Sequence, residues 1–374
     1  MKPTLSKTLF ADLTPETLRT LPLTQAVTNP SAWFIDPRFH ELDREAIFAA
    51  TWQSVGYAAQ LDEPGQYFTC TVADEPVIVL RDRDGLLRAF YNVCRHRGGP
   101  LALDHAGCVK ALQCKYHGWT YLTDGSLRGI PKWNAVELFD RKDYGLVPIQ
   151  VALWEGLVFV NLSRSTETLE TRLGGIVEQL RPNRIGTKRF ARRVDYDVQA
   201  NWKVYVENYL EGYHVPLVHP ALNQLLDVQE YVTELYPSYS LQKSPIRAGK
   251  DDVYTQGAGG EAFYYWIWPN LMLNLLGDRL QVNLVVPVAH DRCKVIFWTY
   301  YDDPTGPGQA ERIAGDLAYS DEVQAEDRLI CEHVQRGLGS RAYDQGRFSV
   351  EMEQGVHHFQ TLLKETYARW LRPG

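Results

Sequence analysis

No run of eighteen apolar residues occurs in this 374-residue chain, so none of its helices is expected to span a bilayer. The segment Met1 to Phe10 lacks the apolar core and cleavage site of a secretory signal, which makes a cytoplasmic location the default expectation. Six cysteines (70, 94, 108, 114, 293 and 331) are too few and too scattered for a disulfide framework. A net charge of −7 argues against a nucleic-acid binder. Neither nucleic acid nor membrane is therefore an expected partner. The glycine-containing stretches 257–260 and 306–308 read as loops that do not open a helix after a strand, so no dinucleotide fingerprint is expected. NAD(P)H should act only through a separate reductase, with or without a ferredoxin.

What the chain does contain is chemistry at short spacing. Cys94-Arg95-His96 and Cys114-Lys115-Tyr116-His117 are two Cys-His pairs separated by a 17-residue spacer, Arg97 to Gln113. Two thiolates on one iron and two imidazoles on the other make a Rieske-type [2Fe–2S] cluster, whose potential is raised because neutral rings replace anionic sulfurs. Zinc is the alternative for two Cys and two His. The order argues against it, since zinc fingers group the cysteines and then the histidines, whereas here each Cys has its own His. Gly98-Gly99-Pro100 and Gly118-Trp119 follow the pairs, and glycines allow the tight loops that bring backbone N–H groups to the sulfurs.

A second constellation is Glu211-Gly-Tyr-His214-Val-Pro216-Leu-Val-His219. A mononuclear non-haem iron needs two His and one carboxylate on one face, with other positions open for O2. Five residues of continuous helix turn about 140°, which would splay His214 and His219 apart. Pro216 is expected to break the helix so that the rings converge. The carboxylate is sought on an apolar helix face. Val323, Ile330, Val334 and Leu338 form one stripe, Asp327 falls inside it, Glu326 at its edge and Glu332 opposite. A lone buried carboxylate is costly unless a cation binds it. Iron would offset that cost; a buried ion pair, for example with Arg347, is the alternative. Glu207, Glu211 and His214 are expected on one helix face, and a carboxylate beside a metal-binding His orients its ring.

Coarse patterning gives an α+β chain. Residues 1–40 read as an N-terminal arm packing on the catalytic domain. Residues 41–162 read as a small all-β domain, with strands such as Tyr67–Val72, Val77–Leu80 and Gly156–Asn161 and Asp-Gly turns at 84–85 and 124–125. Residues 163–374 form the catalytic domain. Helices are expected at Leu42–Trp52, Leu169–Leu180, Trp202–Tyr213 and Ser320–Gly337, and strands at Gln281–Val288 and Lys294–Tyr301.

These residues resemble a known family. Cys-x-His…Cys-x-x-His, Asn201-Trp-Lys203, Glu207-Asn208-Tyr-Leu-Glu211-Gly-Tyr-His214 and His219-Pro220 are similar to the oxygenase (α) subunits of Rieske non-haem iron oxygenases. The C-terminal run Glu326-Asp327…Gly337-Leu, with Ala342–Phe348 and His357–Phe359, looks like the branch containing choline monooxygenase and other quaternary-amine oxygenases. The resemblance implies an N-terminal Rieske [2Fe–2S] domain on Cys94, His96, Cys114 and His117, and a helix-grip catalytic domain holding Fe(II) on His214, His219 and Asp327. It implies a homotrimer in which the cluster of one subunit feeds the iron of its neighbour. The connecting carboxylate falls on Glu211, where many relatives carry Asp, and Asn208 falls near the iron.

Three functions follow as expectations. The first is O2-dependent monooxygenation or N-demethylation of a quaternary or methylated amine, which needs aromatic faces around a cation. Candidates are Tyr205, Tyr209, Tyr264 to Trp268, and Trp298 to Tyr301. The second is ring hydroxylation or O-demethylation of an aromatic acid, with a clamp from Asn270, Asn274 or Asn283. The third is an electron carrier, against which His214, His219 and Asp327 argue, because a carrier needs no second metal.

Overall fold

Side-chain alternation builds the first unit of the chain. Ile78 and Leu80 turn to one face of their strand and pack with Phe90, Cys94, Cys114, Trp119 and Tyr121. Val77 and Val79 turn to the other and pack with Phe68, Val158 and Val160. A strand buried on both faces reads as a continuous apolar run, as Val77–Leu80 does. The computed structural model describes residues 5–227, 230–247 and 260–372. In it seven antiparallel strands follow the order 53–57, 157–161, 148–154, 87–91, 75–81, 66–72 and 106–108. A small three-stranded sheet (112–113, 120–121, 127–129) lies in the same unit. Gly85 and Gly125 take the positive φ of the two Asp-Gly turns.

This unit spans Ile47–Arg172, where 41–162 was expected. The extension at its C-terminal end has a clear cause. Gln150 Nε2 donates to the carbonyls of Ser163 and Ser165, and Trp52 Nε1 donates to that of Glu167, which ties the segment after 162 back to the sheet. Residues 41–46 belong instead with the second unit, because Asp43 is fully buried there against Lys203, Trp202 and Tyr367.

The second unit comprises Met1–Ala46 and Leu173–Gly374. The N-terminal arm is stitched into it: Asn29 N–H donates to Gln360 Oε1 at 2.5 Å and Ser31 N–H to the Asp344 carbonyl at 3.0 Å. Its sheet is antiparallel and seven-stranded, in the order 189–198, 292–301, 279–289, 271–276, 261–267, 239–245, 232–236. It is a curled sheet with helices, the longest being Gln309–Leu338, with Gln354–Leu371 after it.

Several boundaries differ from the sequence reading. The expected helix Leu42–Trp52 is shifted: a helix runs Pro37–Asp43 and a wider turn follows at Arg44–Phe48. Asp36 caps it by accepting from Arg38 N–H at 2.9 Å, with Pro37 in the first turn. The expected helix Leu169–Leu180 is two short ones, Leu169–Leu173 and Ile176–Leu180, parted where Gly174 takes a positive φ. Gly306–Gly308 is a loop as expected, but it does follow a strand and open a helix, with Gly308 at the start of Gln309–Leu338. The residue three on is Glu311, so the G-x-G-x-x-G spacing is not met. The stretch 257–260 lies outside the described residues except for Gly260. No described helix is long and apolar enough to cross a membrane.

Candidate metal centres and substrate cavity

The first centre is built from two tight loops. Cys94 carbonyl accepts from Gly98 N–H at 3.0 Å, and Cys114 carbonyl accepts from Gly118 N–H at 3.0 Å, so the two loops turn alike. Gly99 is required by contact: a Cβ there would stand 2.9 Å from Cys114 Sγ. Both thiols are buried. The rings of His96 and His117 lie 4.8 Å apart, and Trp119 stacks flat on His96 at 4.9 Å. His96 Nδ1 is buried with no hydrogen-bond partner among the described residues. A buried imidazole nitrogen left open in this way fits an iron ligand.

Tyr121, which the sequence reading passed over, completes this centre. Its hydroxyl lies 3.3 Å from Cys94 Sγ and accepts from Arg95 N–H at 3.0 Å. With its oxygen so engaged, the O–H hydrogen is free to donate to sulfur, and hydrogen bonds to sulfur tune a cluster's potential. Burial, and then the bond to Cys94, push the phenol pKa up and keep it neutral. Its sequence signal was only its place two residues beyond Trp119 on a short strand.

The second centre depends on where a helix stops. Asn201 caps Trp202–Tyr209 by accepting from Lys203 N–H at 3.0 Å. The helix was expected to reach Tyr213, but it ends at Leu210 because Glu211 takes over: its Oε2 accepts from the backbone N–H of Tyr213 and of His214, the latter at 3.1 Å. Gly355 of the last helix presses on this end, where a Cβ would stand 2.3 Å from the Leu210 carbonyl. Pro216 does not break the helix. It sits in the first turn of a new one, Val215–Val218, where proline is well tolerated. His214 precedes that short helix and His219 follows it, which brings the rings together at 5.1 Å.

Glu207 does not share a face with Glu211 and His214, since those two lie past the helix end. It is half-buried and accepts from Gln360 Nε2 at 2.8 Å. Glu211 Oε1 lies 2.7 Å from His214 Nδ1. Glu326 Oε2 lies 2.7 Å from His219 Nδ1. Each ring is thus held through one nitrogen by a carboxylate, and its Nε2 turns toward Asp327 Oδ1, at 3.7 Å for His214 and 3.0 Å for His219. Asn208 Nδ2 donates to the same oxygen at 2.6 Å. Arg347 is elsewhere, donating to the Thr24 carbonyl, so the expected alternative of an ion pair with Asp327 is not formed. Two imidazoles and a carboxylate within 4.8 Å of one another, each ring oriented by its own carboxylate, fit a mononuclear iron. Burial works against a charge on His219, but Asp327 and Glu326 outweigh it and raise its pKa above the ordinary value.

The Asp327 position was read from an apolar stripe that is not the buried face. Val334 is 44% exposed. The line that turns inward is Ile313, Asp316, Ser320, Gln324 and Cys331, and Asp327 continues it. Glu332 lies about 140° round the helix from Asp327 and accepts from Gln199 N–H at 3.2 Å.

A cavity of about 790 Å³, measured out to its open mouth, has His214, His219 and Asp327 in its lining. Tyr205, Tyr209, Tyr231, Tyr264 and Phe297 supply its aromatic lining. Tyr231 and Phe297 were missed, because each comes from a part of the chain far from the motif. Trp266 and Trp298 are core instead. Trp266 is fully buried and packs edge-on against Phe359, and Trp298 takes the sheet face opposite to Phe297. Asn274 and Asn283 line the cavity, while Asn270 donates to the Val285 carbonyl at 2.7 Å and is structural.

Both halves match family models: a Rieske [2Fe-2S] domain at residues 51–140 and the ring hydroxylating alpha subunit catalytic domain at residues 187–369. The chain belongs to the Rieske non-haem iron oxygenases, as an oxygenase (α) subunit. It is an oxidoreductase that incorporates oxygen, with a Rieske cluster and a mononuclear iron as cofactors and O2 as co-substrate. Choline monooxygenase of Arabidopsis thaliana chloroplasts is 36% identical over 92% of this chain and 83% of its own length. The carnitine monooxygenase oxygenase subunit of Acinetobacter baumannii is 30% identical over 91% of this chain and 95% of its own. The crystal structure of the quaternary ammonium Rieske monooxygenase CntA with L-carnitine superposes with a TM-score of 0.81 at 30% identity, covering 93% of this chain and 99% of that one.

Proposed function

We propose that this oxygenase monooxygenates or N-demethylates a quaternary or methylated amine. The observation that carries the reading is the aromatic cavity beside His214, His219 and Asp327, in which the one cationic lining residue among those described, Arg279, is already paired with Asp316 at 2.8 Å. Ring faces attract a cation, and a cavity without a spare positive charge does not repel it. An aromatic acid would want the opposite. Relatives named for choline and carnitine support the same class of substrate.

In this reading Cys94, His96, Cys114 and His117 hold the cluster, and His214, His219 and Asp327 hold the iron. When bound, the cluster supplies electrons singly and the iron supplies the site of O2 activation. The chain's own residues do the rest. Glu211 and Glu326 fix the two rings, and Asn208 fixes the Asp327 carboxylate. The aromatic walls exclude water and seat the cation. Glu211 is the carboxylate that would also meet a cluster histidine of a neighbouring subunit in a homotrimer, a reading favoured by the inter-subunit electron transfer described for a quaternary ammonium Rieske monooxygenase of known structure. A separate NAD(P)H-dependent reductase is the electron source.

The test is a screen of methylated amines and aromatic acids with O2 and a surrogate reductase, scored by product and formaldehyde. Turnover of a quaternary amine coupled to O2 uptake is expected. Turnover confined to aromatic acids would overturn the proposal.

A further inference from the structure

Asn283 Oδ1 and Gln324 Nε2, on two residues that line the cavity, are buried and have no hydrogen-bond partner among the described residues. Asn283 is 3% exposed and Gln324 1%. Both line the cavity that adjoins His214, His219 and Asp327. The neighbouring amides and hydroxyls bond to one another. Tyr209 O–H donates to Asn274 Oδ1 at 2.6 Å, Asn274 Nδ2 to Gln281 Oε1 at 3.2 Å, and Gln281 Nε2 to Ser320 Oγ at 2.7 Å. Gln324 is oriented as well, because its Oε1 accepts from the Tyr205 hydroxyl, which leaves Nε2 as the open end. A buried acceptor and a buried donor left open at a cavity wall cost free energy until a ligand meets them.

We infer that the substrate's tail is a hydroxyl, not a carboxylate: a quaternary ammonium alcohol whose O–H donates to Asn283 Oδ1 and whose oxygen accepts from Gln324 Nε2. The inference rests on the amine reading above and deepens it. A hydroxyl both donates and accepts, so it answers both open atoms. A carboxylate only accepts, and would set its lone pairs against those of Asn283 Oδ1. It would also need a cation. Arg279 shares the sheet face of Asn283, four residues along the alternation, but its charge is taken by Asp316, whose other oxygen accepts from the Tyr301 hydroxyl. Arg279 and Asp316 are 3% and 5% exposed, so the pair is not open to exchange with solvent.

The experiment is titration calorimetry of the iron- and cluster-loaded oxygenase, without reductase. The probes are choline, γ-butyrobetaine, ethyltrimethylammonium and the uncharged carbon isostere of choline. Choline should bind about tenfold tighter than ethyltrimethylammonium, the size of one good buried hydrogen bond, and tighter still than γ-butyrobetaine. Asn283→Leu should erase the advantage of choline while leaving ethyltrimethylammonium unchanged. Asp316→Asn, which releases Arg279, should strengthen γ-butyrobetaine binding about tenfold. Tighter binding of γ-butyrobetaine than choline to the unmodified protein would overturn the hydroxyl reading alone. Equal loss of choline and ethyltrimethylammonium in Asn283→Leu would overturn it too. Failure of the amine reading looks different: the carbon isostere would then bind as tightly as choline.

Discussion

Glu326 Oε2 lies 2.7 Å from Nδ1 of His219, and this contact decides which nitrogen of the ring is left for a metal. The two residues are 107 apart in sequence, on the long helix and at the end of a short one. A carboxylate on the second nitrogen fixes the tautomer and makes the ligating nitrogen more basic. Glu326→Ala should therefore weaken iron binding by about 10- to 100-fold, with partial recovery in Glu326→Gln, which keeps an acceptor but not the charge. Competition with a chelator measures this. An unchanged iron affinity in the alanine variant would make Glu326 a surface partner only.

Glu211→Gln should keep both metals and slow turnover. An amide offers one acceptor oxygen where the carboxylate offers two. Glu211 now spends one oxygen on His214 Nδ1 and the other on two backbone N–H groups. Single-turnover oxidation of the reduced cluster, with substrate and O2, should slow markedly. A wild-type rate at full iron loading would make Glu211 structural, and loss of iron would make it a ligand or a support for one.

Lys203→Met should destabilise the catalytic unit by about 3–5 kcal/mol, the usual cost of leaving one member of a buried ion pair alone. Lys203 and Asp43 are both fully buried, and Asp43 also accepts from Trp202 Nε1 at 2.9 Å and from the Tyr367 hydroxyl. Through Asp43 the helix Pro37–Asp43 is joined to the helices Trp202–Tyr209 and Gln354–Leu371. Chemical denaturation followed by fluorescence reads it; a loss below about 1 kcal/mol, the range of exposed pairs, would contradict the assignment.

Glu207 gives a pH prediction. Burial pushes its carboxyl up to about 8, with the Gln360 amide and then Lys203 pulling the other way. Between the ordinary value of 4.5 and about 8, the folded chain keeps a proton that the unfolded chain has lost. Its contribution to stability therefore falls as pH rises through that window. Glu207→Gln, which can keep the Gln360 hydrogen bond, should flatten the decline in Tm from about pH 5 to about pH 8. An identical decline in both proteins would contradict it.

Much of this was legible where the chemistry is local. Cys94 and His96, Cys114 and His117, and His214 and His219 each sit within one turn or short helix, so their spacing alone brings them together. Asp327 was found through a stripe containing Val334, although Val334 is exposed. The inward face of that helix is polar because it meets a polar cavity wall, and apolar periodicity cannot report such a face. Pro216 was read as a breaker because the termination by Glu211 side-chain bonds to backbone N–H groups leaves no mark in periodicity. Tyr231, Phe297 and Tyr121 were not read at all. Each reaches its site through strand pairing or chain reversal, and the sequence carries no pairing register. Trp298 was misjudged for the same reason: in a strand, one residue's displacement exchanges cavity for the opposite face.

The most direct test of the account is the iron content of Asp327→Ala beside the wild-type protein, with the electron-resonance signal of the reduced cluster recorded on both. The wild-type chain should carry three irons, two in the cluster and one at His214, His219 and Asp327. The variant should carry two, with the Rieske signal unchanged. A folded Asp327→Ala protein that still holds three irons would contradict the placement of the mononuclear site.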